Sequence, residues 1–85
     1  MDSTHTTNNQ ISLQDMGLVA ALVTAGYPVI ATANKQKRIW LIFNDTPKLQ
    51  STIGLYWTGE LKVVALDYSE NLKKLKSRIY SERGM

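Results

Sequence analysis

The most apolar run of the chain is Arg38-Ile39-Trp40-Leu41-Ile42-Phe43-Asn44. Its five central residues are large and apolar, with β-branched and aromatic types among them, and polar residues stand at both ends. A short apolar run of this composition predicts a β-strand that is buried on both faces of its sheet. The rest of the chain therefore has to supply the layers of structure that cover this strand.

Composition sets narrow limits on the protein. A chain of 85 residues forms one domain and buries one modest core. The hydrophobic fraction of 44% is typical of a globular domain, and the net charge of +3 permits an acidic partner without requiring one. The absence of cysteine excludes disulfides and thiolate metal sites, and it favours a cytoplasmic protein.

The two ends of the chain predict less order than its middle. Residues 1–10 are almost all small and polar, so they predict a disordered tail, and they lack the basic and apolar runs of a secretory signal. The only histidine, His5, has no partner at ligand spacing, so we expect no metal site. A single domain is expected over residues 11–81, followed by a flexible terminus at 82–85.

The segment after the tail predicts an amphipathic helix and not a membrane span. Ser12 and Asp15 have the spacing of a capping box at a helix start, and Gly26 followed by Pro28 ends the helix. Residues 16–34 carry no formal charge and approach the length of a bilayer span. The interruption at Gly26 breaks the regularity that a spanning helix needs, so we expect no membrane association.

The remaining elements alternate between extended and helical patterns. They are a strand at 28–32, a polar connection at 33–37, the strand at 38–44, a helix from Pro47 to Trp57 capped by Asp45 or Thr46, a strand at 61–66 and a helix from Asp67 onward. The resulting order is α-β-β-α-β-α. It predicts an α+β fold in which helices pack on one face of a small antiparallel sheet, formed by a hairpin and a third strand.

Several of these signals together resemble a small family known only as a domain of unknown function. The resemblance extends over roughly residues 11–80 and is carried by Ser12-Leu13-Gln14-Asp15, Gly26-Tyr27-Pro28, Phe43-Asn44-Asp45-Thr46, Gly59-Glu60 and the helix Leu72…Leu75-Lys76. Members of this family look like short proteins of bacterial and phage genomes. The resemblance therefore implies a phage or mobile-element accessory protein, and it implies no functional residue.

One enzymatic alternative has to be weighed. Asp45 at a strand exit, followed by Glu60 and Lys62, has the pattern of a metal-dependent nuclease, in which acids bind a divalent cation and a lysine orients water. Helix capping explains Asp45, and a turn after Gly59 explains Glu60. No cysteine is present, the only histidine lies in the tail, and the scattered glycines form no phosphate loop. We therefore expect no enzymatic activity, no cofactor and no small-molecule substrate.

Basic and aromatic residues are the main candidates for function. The cations that flank the predicted hairpin and the last helix are Lys35, Lys37, Arg38, Lys73, Lys74, Lys76 and Arg78. The candidates for base stacking or for a protein interface are Trp40, Ile42 and Trp57. Cations with interleaved aromatics can bind nucleic acid through phosphate contacts and stacking. The simpler interpretation is that the lysines solubilise one helix face and that the aromatics belong to the core.

Trp40 separates the two kinds of binding protein that the sequence allows. If helices cover the face of the strand that carries Leu41 and Phe43, then Trp40 and Ile42 need another cover. A strand of nucleic acid there would make the protein a nucleic-acid-binding accessory. A second copy of the chain or a host protein would make it a protein–protein interaction module, either a homodimer or an inhibitor. The sequence leaves both open and does not distinguish DNA from RNA.

Overall fold

The computed structural model describes residues 9–82. The elements in chain order are β1 (Gln10–Leu13), α1 (Met16–Thr24), β2 (Ala31–Lys35), β3 (Arg38–Asn44), α2 (Pro47–Thr58) and α3 (Ala65–Glu82). The predicted N-terminal tail and flexible C-terminus lie outside the described residues, apart from Asn9, Gln10 and Glu82. Of these, Gln10 is the first residue of β1 and Glu82 is the last residue of α3.

The sheet has three antiparallel strands, and β3 lies in its centre. The strand order is β1-β3-β2, with Ile11 opposite Phe43 on one side and Ala33 opposite Trp40 on the other. The bounds of β3 agree with those predicted from the apolar run, because a central strand has hydrogen-bond partners along both edges. The α+β class with a three-stranded antiparallel sheet is confirmed.

The two faces of β3 differ in burial. Ile39, Leu41 and Phe43 are buried on what we call the inner face, and the latter two are 0% and 1% exposed. Trp40 and Ile42 on the opposite, outer face are only half-buried. The expectation of a strand buried on both faces is therefore wrong for the outer face. The reason is that the helices pack on the inner face alone.

Helix α1 lies at the centre of the helical layer. Its residues Leu18 to Leu22 are all buried, so no side of this stretch faces solvent. The sequence predicts a helix with one apolar face, but the structure encloses it on all sides. The core cluster joins this stretch to Leu41 of the sheet, Leu49 of α2 and Leu75 of α3. Because α1 is uncharged and rich in alanine and leucine, it tolerates complete burial.

Two hydrogen bonds between elements complement this apolar packing. The Asn71 amide of α3 donates to Thr24 Oγ1 at the end of α1 over 3.0 Å. The hydroxyls of Tyr27 and Thr52 lie 2.9 Å apart and connect the segment after α1 to α2. Thr52 is a buried polar side chain of the core, and its hydroxyl also donates to the Lys48 carbonyl over 3.0 Å, so its hydrogen-bonding capacity is satisfied.

The predicted start of the first helix at Ser12 is wrong. Ser12 lies in β1, and the N-cap of α1 is Asp15, whose Oδ1 accepts from the Leu18 amide over 3.1 Å. Both residues are good cap formers, so the capping-box spacing is ambiguous without the sheet. Pairing with β3 resolves it, because Ile11 and Leu13 pack against the core only when this segment is extended.

The predicted strand at 28–32 is shifted along the chain. The observed strand β2 covers Ala31–Lys35, and a two-residue turn of Gln36 and Lys37 replaces the predicted polar connection at 33–37. The sequence of β2 has little strand propensity of its own. Its register follows from the tight turn into β3, because a two-residue turn places Lys35 directly opposite Arg38.

The predicted third strand at 61–66 is also wrong. Residues 60–64 form a connector without regular structure, and α3 begins at Ala65, two residues before the predicted cap Asp67. Helix α2 carries the chain into the helical layer, where Leu61 and Val63 pack near other helices and not beside a sheet edge. The sheet takes its third strand from the N-terminal side, so the element order is β-α-β-β-α-α.

The N-cap assignment predicts a difference between two short side chains. Asp15→Ala removes the acceptor for the Leu18 amide, so we expect it to lower the free energy of unfolding by about 1 kcal/mol. Asp15→Asn keeps an acceptor and should be close to wild type. Ser12→Ala should change stability by less than about 0.5 kcal/mol, because Ser12 is exposed on β1. Urea denaturation measures all three, and a larger loss for Ser12→Ala than for Asp15→Ala contradicts the assignment.

The inner face predicts a second contrast. Phe43→Ala leaves a cavity in the core, so we expect a loss of about 3–5 kcal/mol in the free energy of unfolding. Trp57 is 63% exposed, so Trp57→Ala removes a larger side chain and should cost less than about 1 kcal/mol. Chemical denaturation followed by circular dichroism compares the two variants. Similar losses would show that the core is not where the structure places it.

Candidate nucleic-acid interface

The outer face of the sheet carries an aromatic side chain among small neighbours. Trp40 lies opposite Ala33 of β2, and Ile42 lies opposite Ser12 of β1 and Ala31 of β2. Neither Trp40 nor Ile42 belongs to the core cluster that the helices form with the inner face. Because the side chains beside the indole are small, the part of the outer face around Trp40 is open.

Basic residues surround the end of the sheet at which Trp40 lies. A cavity of about 520 Å³ opens there, and its lining residues are Gln14, Lys35, Gln36, Arg38 and Trp40. The structure thus brings together two of the predicted hairpin cations and the predicted aromatic residue. It also adds two amide side chains, which can both donate and accept hydrogen bonds. We call this cavity the indole cavity.

A second cavity adjoins the first at the same end of the sheet. Its volume is about 400 Å³, and its lining residues are Gln14, Met16, Gln36, Lys37, Arg38, Ile39 and Ile79. Gln14, Gln36 and Arg38 line both cavities, so they form the boundary between them. Ile79 places the C-terminal part of α3 beside the hairpin. We call this second cavity the hairpin cavity.

The cations of the hairpin are not neutralised within the described chain. Lys35, Lys37 and Arg38 are exposed, and none of them forms an ion pair with another of the side chains that the structure describes, those of residues 9–81. The residues that line the two cavities include no acidic side chain. This end of the sheet therefore carries positive charge that is available to an anion.

The turn that carries these side chains has an unusual backbone. Gln36 and Lys37 have φ of 55° and 67°, which are the left-handed values that a type I′ turn requires at both central residues. Asn-Gly is the favoured pair there, and each residue with a Cβ in this region costs about 1–2 kcal/mol. The sequence thus places long polar side chains where the backbone favours short ones.

The predicted cations of α3 do not form one patch. Lys73 and Lys76 are three residues apart and share one side of the helix, whereas Lys74 and Arg78 are four apart and share the other. All four are exposed, because the inward side of α3 carries Leu75 and its neighbours. Only the end of α3 near Ile79 approaches the hairpin.

Trp57 lies apart from the other two predicted interface residues. It is near the C-terminal end of α2, in the helical layer, where its ring makes an edge contact with Tyr56 at a centroid distance of 5.0 Å. Its indole is 63% exposed. Trp40 and Ile42 share the outer face of the sheet, so Trp57 does not extend their surface.

The two acids of the nuclease alternative lie at opposite ends of α2. Asp45 precedes α2 and Glu60 follows it, so a helix of 12 residues, about 18 Å long, lies between them. Asp45 accepts a hydrogen bond from the Gln50 amide over 2.8 Å, and Glu60 accepts one from Thr58 over 3.1 Å. No group of three or more histidine, cysteine, aspartate or glutamate residues in the described chain could bind a metal ion.

A third cavity, which the sequence does not indicate, lies among the helices. Its volume is about 610 Å³, and it is lined mainly by apolar residues, together with Lys62 and two tyrosines: Ala21, Leu61, Val63, Ala65, Tyr56 and Tyr68. Burial raises the pKa of the Tyr56 phenol, and the Asp15 carboxylate and Tyr68 raise it further. This phenol is therefore neutral at physiological pH and offers a hydrogen-bond donor.

Gln14 and Gln36 are the site residues that sequence reasoning missed. The capping-box spacing at Ser12 places Gln14 in the first helix, and the polar run at 33–37 places Gln36 in a connection. The only local signal is the position of Gln36 next to Lys37 and Arg38. Gln14 enters the site through the pairing of β1 with β3, which no short-range pattern indicates.

Comparison with known proteins gives one match. The fold defines a small α+β domain, and one end of its sheet is open and basic. The family model described as a domain of unknown function, DUF5659, matches residues 8–81, so the chain belongs to this family. No curated protein and no solved structure matches the chain. Within residues 9–82, no helix is long and apolar enough to cross a bilayer.

Proposed function

We propose that the protein is a small non-enzymatic binding protein that binds nucleic acid through the hairpin end of its sheet. The observation that carries this proposal is the indole cavity, in which Lys35 and Arg38 lie beside Trp40 on a sheet face that the helices leave open. Cations supply phosphate contacts, and an accessible aromatic ring supplies a stacking surface.

Charge distribution supports a site that is confined to the hairpin. The unpaired cations Lys35, Lys37 and Arg38 are on a single turn and its flanking residues, and no acid lines either cavity. The cations on the two sides of α3 line neither of the two cavities. They add to the general positive field, which increases association rates more than specific affinity.

The proposal predicts that binding depends on the position of charge and not only on its amount. Lys35→Glu with Arg38→Glu should abolish binding of a fluorescein-labelled oligonucleotide at 50 mM salt, or weaken it by at least about tenfold. Lys73→Glu with Lys74→Glu changes the net charge equally and should weaken binding by no more than about threefold. Fluorescence anisotropy measures both. Equal losses would place the site elsewhere or reduce it to net charge.

Salt dependence gives an independent check. Three phosphate contacts predict that the logarithm of the association constant falls with the logarithm of salt concentration with a slope of about −2. Lys37→Gln should reduce this slope by about 0.7, because it removes one contact. Anisotropy titrations of the labelled oligonucleotide measure this slope at salt concentrations from 50 to 200 mM, roughly a fourfold range. A wild-type protein that does not bind at the lowest salt contradicts the proposal.

A second candidate is a protein–protein interaction module. The observation that favours it is the apolar centre of the outer face, which Ala31, Ala33, Trp40 and Ile42 form. A second copy of the chain or a host protein could cover this face. This candidate predicts a dimer mass by light scattering that Trp40→Ala converts to a monomer mass, whereas Trp57→Ala leaves it unchanged. A monomer at every concentration contradicts the homodimer form.

Two further features belong to the proposal. A cytoplasmic location follows from the absence of cysteine, and an accessory role in a phage or mobile element follows from the family resemblance. Both stay predictions.

A further inference from the structure

We infer that the ligand of the hairpin end is single-stranded nucleic acid, with one base stacked on Trp40 in the indole cavity and the adjacent nucleotide in the hairpin cavity. This inference rests on the proposed function and adds the strandedness of the ligand and the role of each cavity. The indole cavity reaches the outer face of the sheet at Trp40, and the hairpin cavity reaches the inner face at Ile39. Because they share Gln14, Gln36 and Arg38, a strand that passes around this end of the sheet can place consecutive nucleotides in the two cavities.

The aromatic residue favours a single strand. In a duplex the bases are stacked on each other, so only their edges and the phosphates face a protein. The Trp40 side chain is half-buried on a sheet face, beside the small side chain of Ala33, and it lines the indole cavity, so an aromatic side chain borders a recess. An aromatic side chain that borders a recess can stack with a base only if that base has left its own stack.

The polar residues of the indole cavity favour the same ligand. Gln14 and Gln36 have side-chain amides that both donate and accept hydrogen bonds, which matches the pattern on a base edge. The Watson–Crick edge is free only in a single strand. Lys35 and Arg38 lie at the same cavity and can neutralise the phosphate on either side of the stacked base.

The backbone of the turn gives an independent reason to assign a ligand-binding role. Gln36 and Lys37 occupy left-handed positions that Asn-Gly would occupy with less strain, yet both side chains line the cavities. Strained backbone that displays functional side chains is typical of binding sites. A turn that only joined β2 to β3 would have no reason to keep long side chains at these positions.

The experiment uses Trp57→Phe as the parent, so that Trp40 is the only tryptophan. Its indole fluorescence is titrated at low salt with a single-stranded oligonucleotide without self-complementarity and with the duplex that this oligonucleotide forms with its complementary strand. We expect at least about tenfold tighter binding of the single strand, with quenching of Trp40 by the single strand only. Trp40→Ala should weaken single-strand binding by about tenfold, as judged by anisotropy of a labelled oligonucleotide, and leave duplex binding unchanged.

The outcomes separate the inference from the proposed function. Equal affinity for both ligands, without quenching of Trp40, overturns the inference but leaves salt-dependent nucleic-acid binding in place. No binding of either ligand overturns both. The quenching measurement needs no change at Trp40, so it remains decisive even if Trp40→Ala does not fold.

The turn provides a matched test in which stability and binding move in opposite directions. Gln36→Asn with Lys37→Gly supplies the favoured type I′ pair, so the urea midpoint should rise. The same change shortens one amide and removes one cation, so single-strand affinity should fall by about fivefold or more. Lys62→Gly with Gln50→Asn, both at exposed positions away from the hairpin, removes the same groups and should leave affinity unchanged. A stabilised turn variant with full affinity overturns the assigned role of the turn.

Discussion

The enclosure of α1 is the constraint on which the rest of the structure depends. Leu18 to Leu22 are all buried, so this helix needs cover on every side. A sheet on one side and two further helices on the other provide that cover, with Leu41 and Phe43 facing α1 from the sheet. Because α2 and α3 are both used to cover α1, no described helix remains for the outer face of the sheet. The open face is thus a direct consequence of how the core is closed.

This division gives the two faces of the sheet different surroundings. The inner face and the helices hold the buried side chains, and the hydrogen bonds of Asn71 to Thr24 and of Tyr27 to Thr52 join the helical elements. The outer face contributes little to the core, because Trp40 and Ile42 lie outside the core cluster. The hairpin adds positive charge at the end of this face. The central strand positions Trp40, and the turn between β2 and β3 positions the cations beside it.

The predictability of the site depends on how far apart its parts lie in the sequence. Lys35, Lys37, Arg38 and Trp40 belong to one turn and one strand, and their proximity could be predicted because a strand and its hairpin are local. Gln14 directly follows β1, more than twenty residues earlier in the chain, and the pairing of β1 with β3 brings it to Trp40. The cations of α3 form two groups because helical periodicity separates neighbours in sequence.

The central strand, the helix α2 with a cap at Asp45 or Thr46, and the α+β class could be predicted from the sequence. Each of these depends on signals within a few residues: an apolar run, a side-chain acceptor near free amides, and a turn at Thr58-Gly59. The structure then identifies Thr46 as the cap and gives Gly59 a left-handed backbone. Only the tertiary structure decided which segments complete the sheet. The residues 61–66 have a strand-like pattern but lie among the helices, whereas Gln10–Leu13 pairs with β3. A strand needs a partner for its backbone hydrogen bonds, and the availability of that partner is a property of the whole fold.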